Sequence, residues 1–320
     1  MLILPTIDTK KATLMRNLLI YKYIIEVFRA GSVRKASEIL SITPSSLNRR
    51  IQFLEEELGT PLFERHAKGL RLNHAGELAV HTFKKHLAEI DELKNRIEDL
   101  KGARRGTVSI VCSQALLPYF LPKQISKYQT QYPGVDFQVK VADSETAEMA
   151  LLNYEADLAL IFSPLALENF ETLASVKQGI FAILPSHHPL AKRKKLRLNH
   201  CADYPLALHD KSHSIRNLVD AEANRANLQL KPTIETDSYI LLQNFISNGN
   251  AIGFEIEIGL PDDLPDGLIK QPLQLNLKSE KFVHLSQLRG RTLPVSAAKF
   301  AEQVNIEFQR LENRQPNQLN

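Results

Sequence analysis

The run from Ser32 to Arg71, SVRKASEILSITPSSLNRRIQFLEEELGTPLFERHAKGLR, constrains the chain most, because two short amphipathic periods, a tight turn and a basic hairpin follow one another without a gap. Ahead of it, Ile20, Ile24, Val27 and Phe28 recur at helical spacing between Met15 and Ala30, and Gly31 stands where a helix stops. Ser32 takes the N-cap position of a second helix whose apolar face is Val33, Ala36, Ile39 and Leu40. Thr43-Pro44 opens a third helix with a capping hydroxyl and a proline at the first position, where its missing N–H leaves nothing unsatisfied.

In that third helix Leu47, Ile51, Leu54 and Leu58 share one stripe, while Ser45, Asn48, Arg49 and Gln52 lie on the opposite face and Arg50 on the flank. Small polar residues at the helix start, Thr43 to Ser46, allow close approach to a phosphate or base edge, and an arginine fork matches guanine O6 and N7. Glu55, Glu56 and Glu57 repel phosphate, which confines DNA contact to the first two turns. After Gly59 the segment TPLFERHAKGLRLN reads as a small hairpin carrying Arg65, Lys68 and Arg71, a wing that adds affinity without sequence choice. The expected DNA contacts are thus Ser32, Thr43, Pro44, Ser45, Ser46, Asn48, Arg49, Arg50 and Gln52 from the helices, with Arg65, Lys68 and Arg71 from the wing.

A length of 320 residues accommodates two or three domains, and a net charge of +4 permits a nucleic-acid partner without requiring one. Cys112 and Cys201 form no CxxC pair and need no disulfide, as in a reduced cytoplasmic protein. No run approaches the ~20 apolar residues of a spanning helix. Residues 1–14 read as an extension, and 314–320 as a polar tail.

The combination of AGSVRKASEIL, the block TPSSLNRRIQFLEEELGTPLFERHAKGLRLNHAGE and a long helix behind it resembles the LysR-type transcriptional regulators, with ELGTPLFER followed by RLNHAGE the most specific part. Two positions depart from the family: glutamine is frequent where this chain has Pro44, and serine where it has Asn48. The resemblance implies a winged helix-turn-helix over residues 15–73, a linker and dimerisation helix with its hinge over 74–105, and an effector-binding domain over 106–313. It further implies a homodimer on double-stranded DNA, a dimer of dimers in the usual case, and RNA polymerase as a further partner.

Between His74 and Lys101 no proline interrupts the helical pattern, and such a helix runs ~40 Å, too long for a small winged domain alone. Phe83, Leu87, Ile90, Leu93 and Ile97 make its apolar seam, the expected pairing surface. The remainder alternates strands and helices, an α/β pattern with a parallel sheet implied, and the chain crosses twice between two subdomains: 106–162 with 267–313, and 163–266. The family's effector region resembles periplasmic binding proteins, which hold ligands at the carboxyl ends of strands.

At such junctions stand Ser113, Gln114, Ser144, Ser163, Ser214, Asp237 and Ser238, the candidates for binding a small anionic metabolite. The stretch SNGNAIGFEIEIG departs from the family's more glycine-rich aliphatic pattern by bringing in Glu255 and Glu257, which bears on the pocket's charge. His200, Cys201, His209 and His213 raise a metal-sensing alternative, although neither CxxC nor HExxH accompanies them. A constitutive architectural DNA-binding protein is the other alternative. No GxSxG, P-loop or nucleophile–base pair points to catalysis, and no cofactor is expected.

Overall fold

A computed structural model describes residues 7–66, 69–100, 105–162, 168–193, 195–275 and 281–314, with side chains described from residue 18 onward except at 95, 98–100 and 314. Its contacts divide the chain into two units, Met1–Lys94 and Asn95–Asn320. Lys68, Ser163 and the hinge residues 101–104 lie outside the described residues.

The first unit holds α1 (Ile7–Ala30), α2 (Val33–Ile39), α3 (Pro44–Leu58), the antiparallel hairpin β1 (Phe63–His66) and β2 (Gly69–Leu72), and the start of α4 (His74–Leu100). The first helix begins at Ile7 rather than Met15. Ile20, Ile24 and Val27 bury against Leu47, Ile51 and Leu54, the stripes anticipated from spacing. Leu58 and Ile39 depart from that expectation: each is the last residue of its helix, beyond the reach of the core, and they stay 48% and 63% exposed. Gly59 ends α3 at φ +70, a left-handed cap that glycine adopts without strain. A Cβ on Gly76 would sit 2.0 Å from the Leu62 carbonyl oxygen, so the entry to α4 passes the wing's root only because that side chain is missing.

In the second unit, β3 (Gly106–Cys112), α5 (Phe120–Gln131), β4 (Val135–Val141), α6 (Ser144–Leu152) and β5 (Leu158–Phe162) form the expected β-α-β-α-β unit, with β3 parallel to both β4 and β5. Next come β6 (Phe170–Lys177), β7 (Ile180–Pro185), β8 (Leu196–Arg197), α7 (Leu198–Cys201), β9 (Leu206–His209), α8 (Ser214–Arg225), β10 (Pro232–Thr236), α9 (Tyr239–Ser247) and β11 (Gly253–Ile256). The chain closes through β12 (Leu268–Gln274), β13 (Phe282–Leu288) and α10 (Val295–Arg314).

The first sheet has the order β4-β3-β5-β13-β6 and the second β11-β7-β12-β8, with the parallel pair β9/β10 attached through a bridge between Leu206 and Ile252. Both sheets are mixed rather than wholly parallel, since β13 runs antiparallel to β5 and β6, and β7 antiparallel to β11 and β12. Strand pairing also moves the subdomain edges. The first crossover follows Lys177 instead of residue 163, because β6 pairs with β13 in the first sheet, and the return follows Gln274 instead of 266, because β12 pairs with β7 and β8 in the second.

The fully buried β5 sits in the middle of its sheet, as its unbroken apolar run requires. At the sheet's edge, β4 buries Val135 and half-buries Phe137, while Val139 and Val141 are exposed. α10 returns onto the first sheet, where Phe300 meets Tyr128 and Phe137 edge-on and the Tyr128 hydroxyl donates to the Ser296 carbonyl at 2.9 Å.

Candidate functional site

Two sites emerge, one in each unit. In the first, the Thr43 side chain accepts from the Ser46 N–H at 3.2 Å and its hydroxyl lies 3.2 Å from that of Ser45, which fixes the start of α3. Ser45, Asn48, Arg49 and Gln52 are exposed on one face. The guanidinium of Arg50 lies 5.0 Å over the Tyr23 ring, so its flank position is braced by α1. Glu55 differs from the expectation that it repels phosphate: it turns inward, where its carboxylate accepts from the Leu62 N–H at 2.7 Å and ties the end of α3 to the wing. Ser32 is extended at the head of α2, but its side chain makes no capping bond. Arg65 and Arg71 are exposed on the wing, Arg71 across from Glu64.

On α4, Phe83 is buried in its own unit's core and stacked on Tyr21 at 4.1 Å between ring centroids, so intrachain packing uses the residue expected to begin the pairing seam. Leu87 and Ile90 are half-buried, whereas Leu93 and Ile97 are 56% and 43% exposed.

In the second unit a cleft of about 270 Å³ opens between the two sheets. It gathers Ser113, Gln114, Ser214 and Asp237 from the expected set. Ser144 and Ser238 stand just outside the lining: Ser144 is the first residue of α6, and Ser238 caps α9 by accepting from the Leu241 N–H at 3.3 Å. In α6 the capping residue is Asp143, which lines the cleft and whose carboxyl is held below the usual range first by the Thr146 side chain and then by the Thr146 N–H it accepts from. Ser113 accepts from the Phe162 N–H at 3.0 Å, joining β3 to β5 at the cleft floor.

Gln114, after the first-sheet strand β3, reaches the second subdomain. Its amide nitrogen donates to the Asp237 carbonyl at 2.7 Å, and its oxygen meets Nε2 of His213 at the head of α8. Nδ1 of His213 lies 3.0 Å from Asp210, whose carboxyl is pushed down to about 2 by hydrogen bonds from Ser212 and His213. Both ring nitrogens of His213 are therefore engaged, one by Gln114 and the other by Asp210.

Outside the expected junction set stand His209 and Glu255 in the cleft lining, with Tyr239 beside Glu255. His209 stacks on His213 at 4.7 Å, and its Nε2 lies 3.5 Å from Glu255 Oε2, both side chains being buried. The other Glu255 oxygen accepts from the Ile256 N–H at 2.8 Å. Tyr239, near Glu255, has its phenol pushed well up by burial and by that carboxylate, and it donates to the Gly259 carbonyl at 3.0 Å. A visible signal was the polar residue inside an apolar strand, Glu255 in AIGFEI and His209 at the end of LALH. Arg216, buried on α8, holds that helix by donating to Asp220, Glu235 and the His209 carbonyl.

Among the described residues no group of three His, Cys, Asp or Glu side chains is arranged to hold a metal. His200 instead meets Arg193, and Cys201 is buried. A larger cavity of about 520 Å³, lined by Tyr119, Lys123, Gln178 and Lys270 among others, collects none of the expected junction residues. No helix among the described residues is long and apolar enough to cross a membrane.

Residues 101–309 match the LysR substrate binding domain, and residues 20–77 the bacterial regulatory helix-turn-helix of the lysR family. The chain is 28% identical to YybE of Bacillus subtilis, an uncharacterized HTH-type transcriptional regulator, over 90% of this chain and 97% of that one. A full-length OxyR from Pseudomonas aeruginosa shares the fold at a TM-score of 0.64 and 17% identity, covering 94% of this chain and 95% of the other. Full-length CbnR, in complex with its target DNA, shares it at 0.60 and 15% identity, covering 90% and 98%. With both of its units matched in order, the chain belongs to the LysR family of transcriptional regulators, a DNA-binding helix-turn-helix followed by an effector-binding α/β domain.

Proposed function

We propose that this chain is a sequence-specific regulator that binds operator DNA as a dimer, assembles further into a tetramer, and changes its grip on DNA when a small metabolite enters the cleft between the two sheets. The bridge from Gln114 to His213 and Asp237 carries this reading, because a ligand seated there competes with or completes contacts that set how far the subdomains close. Ser45, Asn48, Arg49 and Gln52 would read base edges, Arg50 a phosphate, and Arg65, Lys68 and Arg71 the backbone. Leu93 and Ile97, uncovered on α4, would pair two chains so that two reading helices meet two half-sites.

An anionic group of the metabolite would lie at the head of α8, where no side chain caps the helix and the dipole is positive. The reaction to ligand is a shift between two closures of the cleft, passed on as a change in spacing or bend at the operator. RNA polymerase is a further partner on this reading, and the cytoplasm the place of action.

Footprinting of the full chain on its own promoter region, with and without candidate metabolites, tests the proposal. A ligand-dependent change in the protected segment is expected. Protection that no metabolite alters would favour constitutive architectural binding instead. Unchanged DNA binding in the presence of chelator is also expected, since no group of three His, Cys, Asp or Glu side chains among the described residues is arranged to hold a metal.

A further inference from the structure

We infer that the ligand of this cleft is a zwitterion of the α-amino acid class, held by its amine at Glu255 and His209 and by its carboxylate at the start of α8. The inference rests on the reading of the cleft as the effector site and deepens it.

The cleft's charges are one-sided. Asp143, Asp237 and Glu255 line it, and among the described residues no lysine or arginine does. A simple carboxylic acid would face three carboxylates with no cation to answer them. Acidic residues alone would prove little, but a second observation identifies what they await. Nδ1 of His209 is buried, faces no partner, and belongs to a side chain only 7% exposed on the cleft wall. The nearest group to its other nitrogen is Glu255 Oε2, at 3.5 Å, so a donating Nε2–H leaves Nδ1 as an acceptor.

A buried acceptor without a donor is costly, and the neighbouring carboxylate oxygen is held only by that loose contact. Both atoms ask for the same thing: N–H groups, which a protonated amine supplies three at a time.

The opposite pole lies at α8, twelve residues long and uncapped by any side chain. Ser214 and Ile215 line the cleft there, and His213 beside them is held in place by Gln114 and Asp210. Unpaired helix N–H groups at the positive end of the dipole favour a carboxylate. A ligand with an amine and a carboxylate on neighbouring atoms satisfies both poles; either group alone leaves one pole unanswered.

The test uses the full-length protein and a panel of L-α-amino acids, each with its matched 2-hydroxy acid and its decarboxylated amine, read by thermal shift and then by calorimetry. At least one amino acid should raise Tm and bind at least tenfold tighter than both of its matched analogues. Glu255→Gln should weaken that binding at least tenfold, and Ser214→Pro, which removes one helix-start N–H at a position proline tolerates, should weaken it too. Asp237→Asn, at the exposed rim, keeps the charge argument readable should Glu255→Gln fail to fold, and a several-fold loss is expected.

A hydroxy acid or an amine that binds as tightly as its amino acid, or amino-acid binding unmoved by the folded charge variants, overturns the zwitterion while leaving the cleft as the ligand site. A panel in which no member binds overturns both.

Discussion

The Gln114 carboxamide meets the His213 imidazole across the mouth of the cleft, and its other end donates to the Asp237 carbonyl, so one side chain joins the first subdomain to two separate turns of the second. Replacing Gln114 by Ala removes both bonds at once. The expected loss is about 1–3 kcal/mol of stability in the α/β unit, from two hydrogen bonds. Hydrogen exchange should quicken at the first turn of α8 and at the turn before α9. Exchange unchanged at both places would show that the subdomains are held elsewhere.

Arg49→Ala should lower the ratio of specific to non-specific DNA affinity by roughly tenfold to a hundredfold, the worth of one bidentate base contact. Binding to bulk DNA at low salt should change little, and the melting of both units not at all. Fluorescence anisotropy on operator and scrambled duplexes at fixed salt measures the ratio; an unaltered one would mean that α3 presents a different face.

Leu93→Glu combined with Ile97→Glu places charges on two exposed apolar positions of α4. Sedimentation should then find monomers, and operator affinity should fall toward that of a single half-site, with circular dichroism unchanged. A variant that remains dimeric would move the pairing surface off this face of α4.

Thiol chemistry should be silent. Both cysteines are buried, and burial pushes the Cys201 thiol up to about 12 and that of Cys112 higher still. Since the thiolate is the reactive form, alkylation between pH 7 and 8 should find no thiol in the folded protein and both after denaturation. Raising the pH toward the thiol range should speed labelling only as the protein itself opens, and peroxide should leave DNA binding intact.

The winged unit was legible in sequence because its determinants are local. Thr43-Pro44, Gly59 and the Leu47-Ile51-Leu54 stripe each act within a few residues. The cleft was legible by half, since Ser113, Gln114, Ser214 and Asp237 could be found from strand-to-helix junctions. Its other half is tertiary. Glu255 and His209 meet because the Leu206–Ile252 bridge sets their strands side by side, and no spacing rule reports a bridge between segments so far apart.

Strand direction was hidden for a similar reason. β13 enters its sheet antiparallel by the route its connection takes, which its alternation does not encode. β6 escaped notice as an edge strand whose partly charged, irregular burial pattern resembles a loop. Phe83 carried the right period for pairing, but Tyr21 had the prior claim on it.

The wing is anchored at two points, one at its root and one near its turn. The Glu55 carboxylate holds the Leu62 N–H before β1, and the Gly31 carbonyl accepts from the Leu70 N–H at 2.9 Å within β2. A hairpin fastened at two points to the helices beside it cannot swing to follow a groove of changing width. The reading head therefore acts as a gauge of fixed span, and a duplex that does not match the separation between α3 and the wing has to deform to meet it, which makes the flexibility of the flanking steps part of what the protein selects.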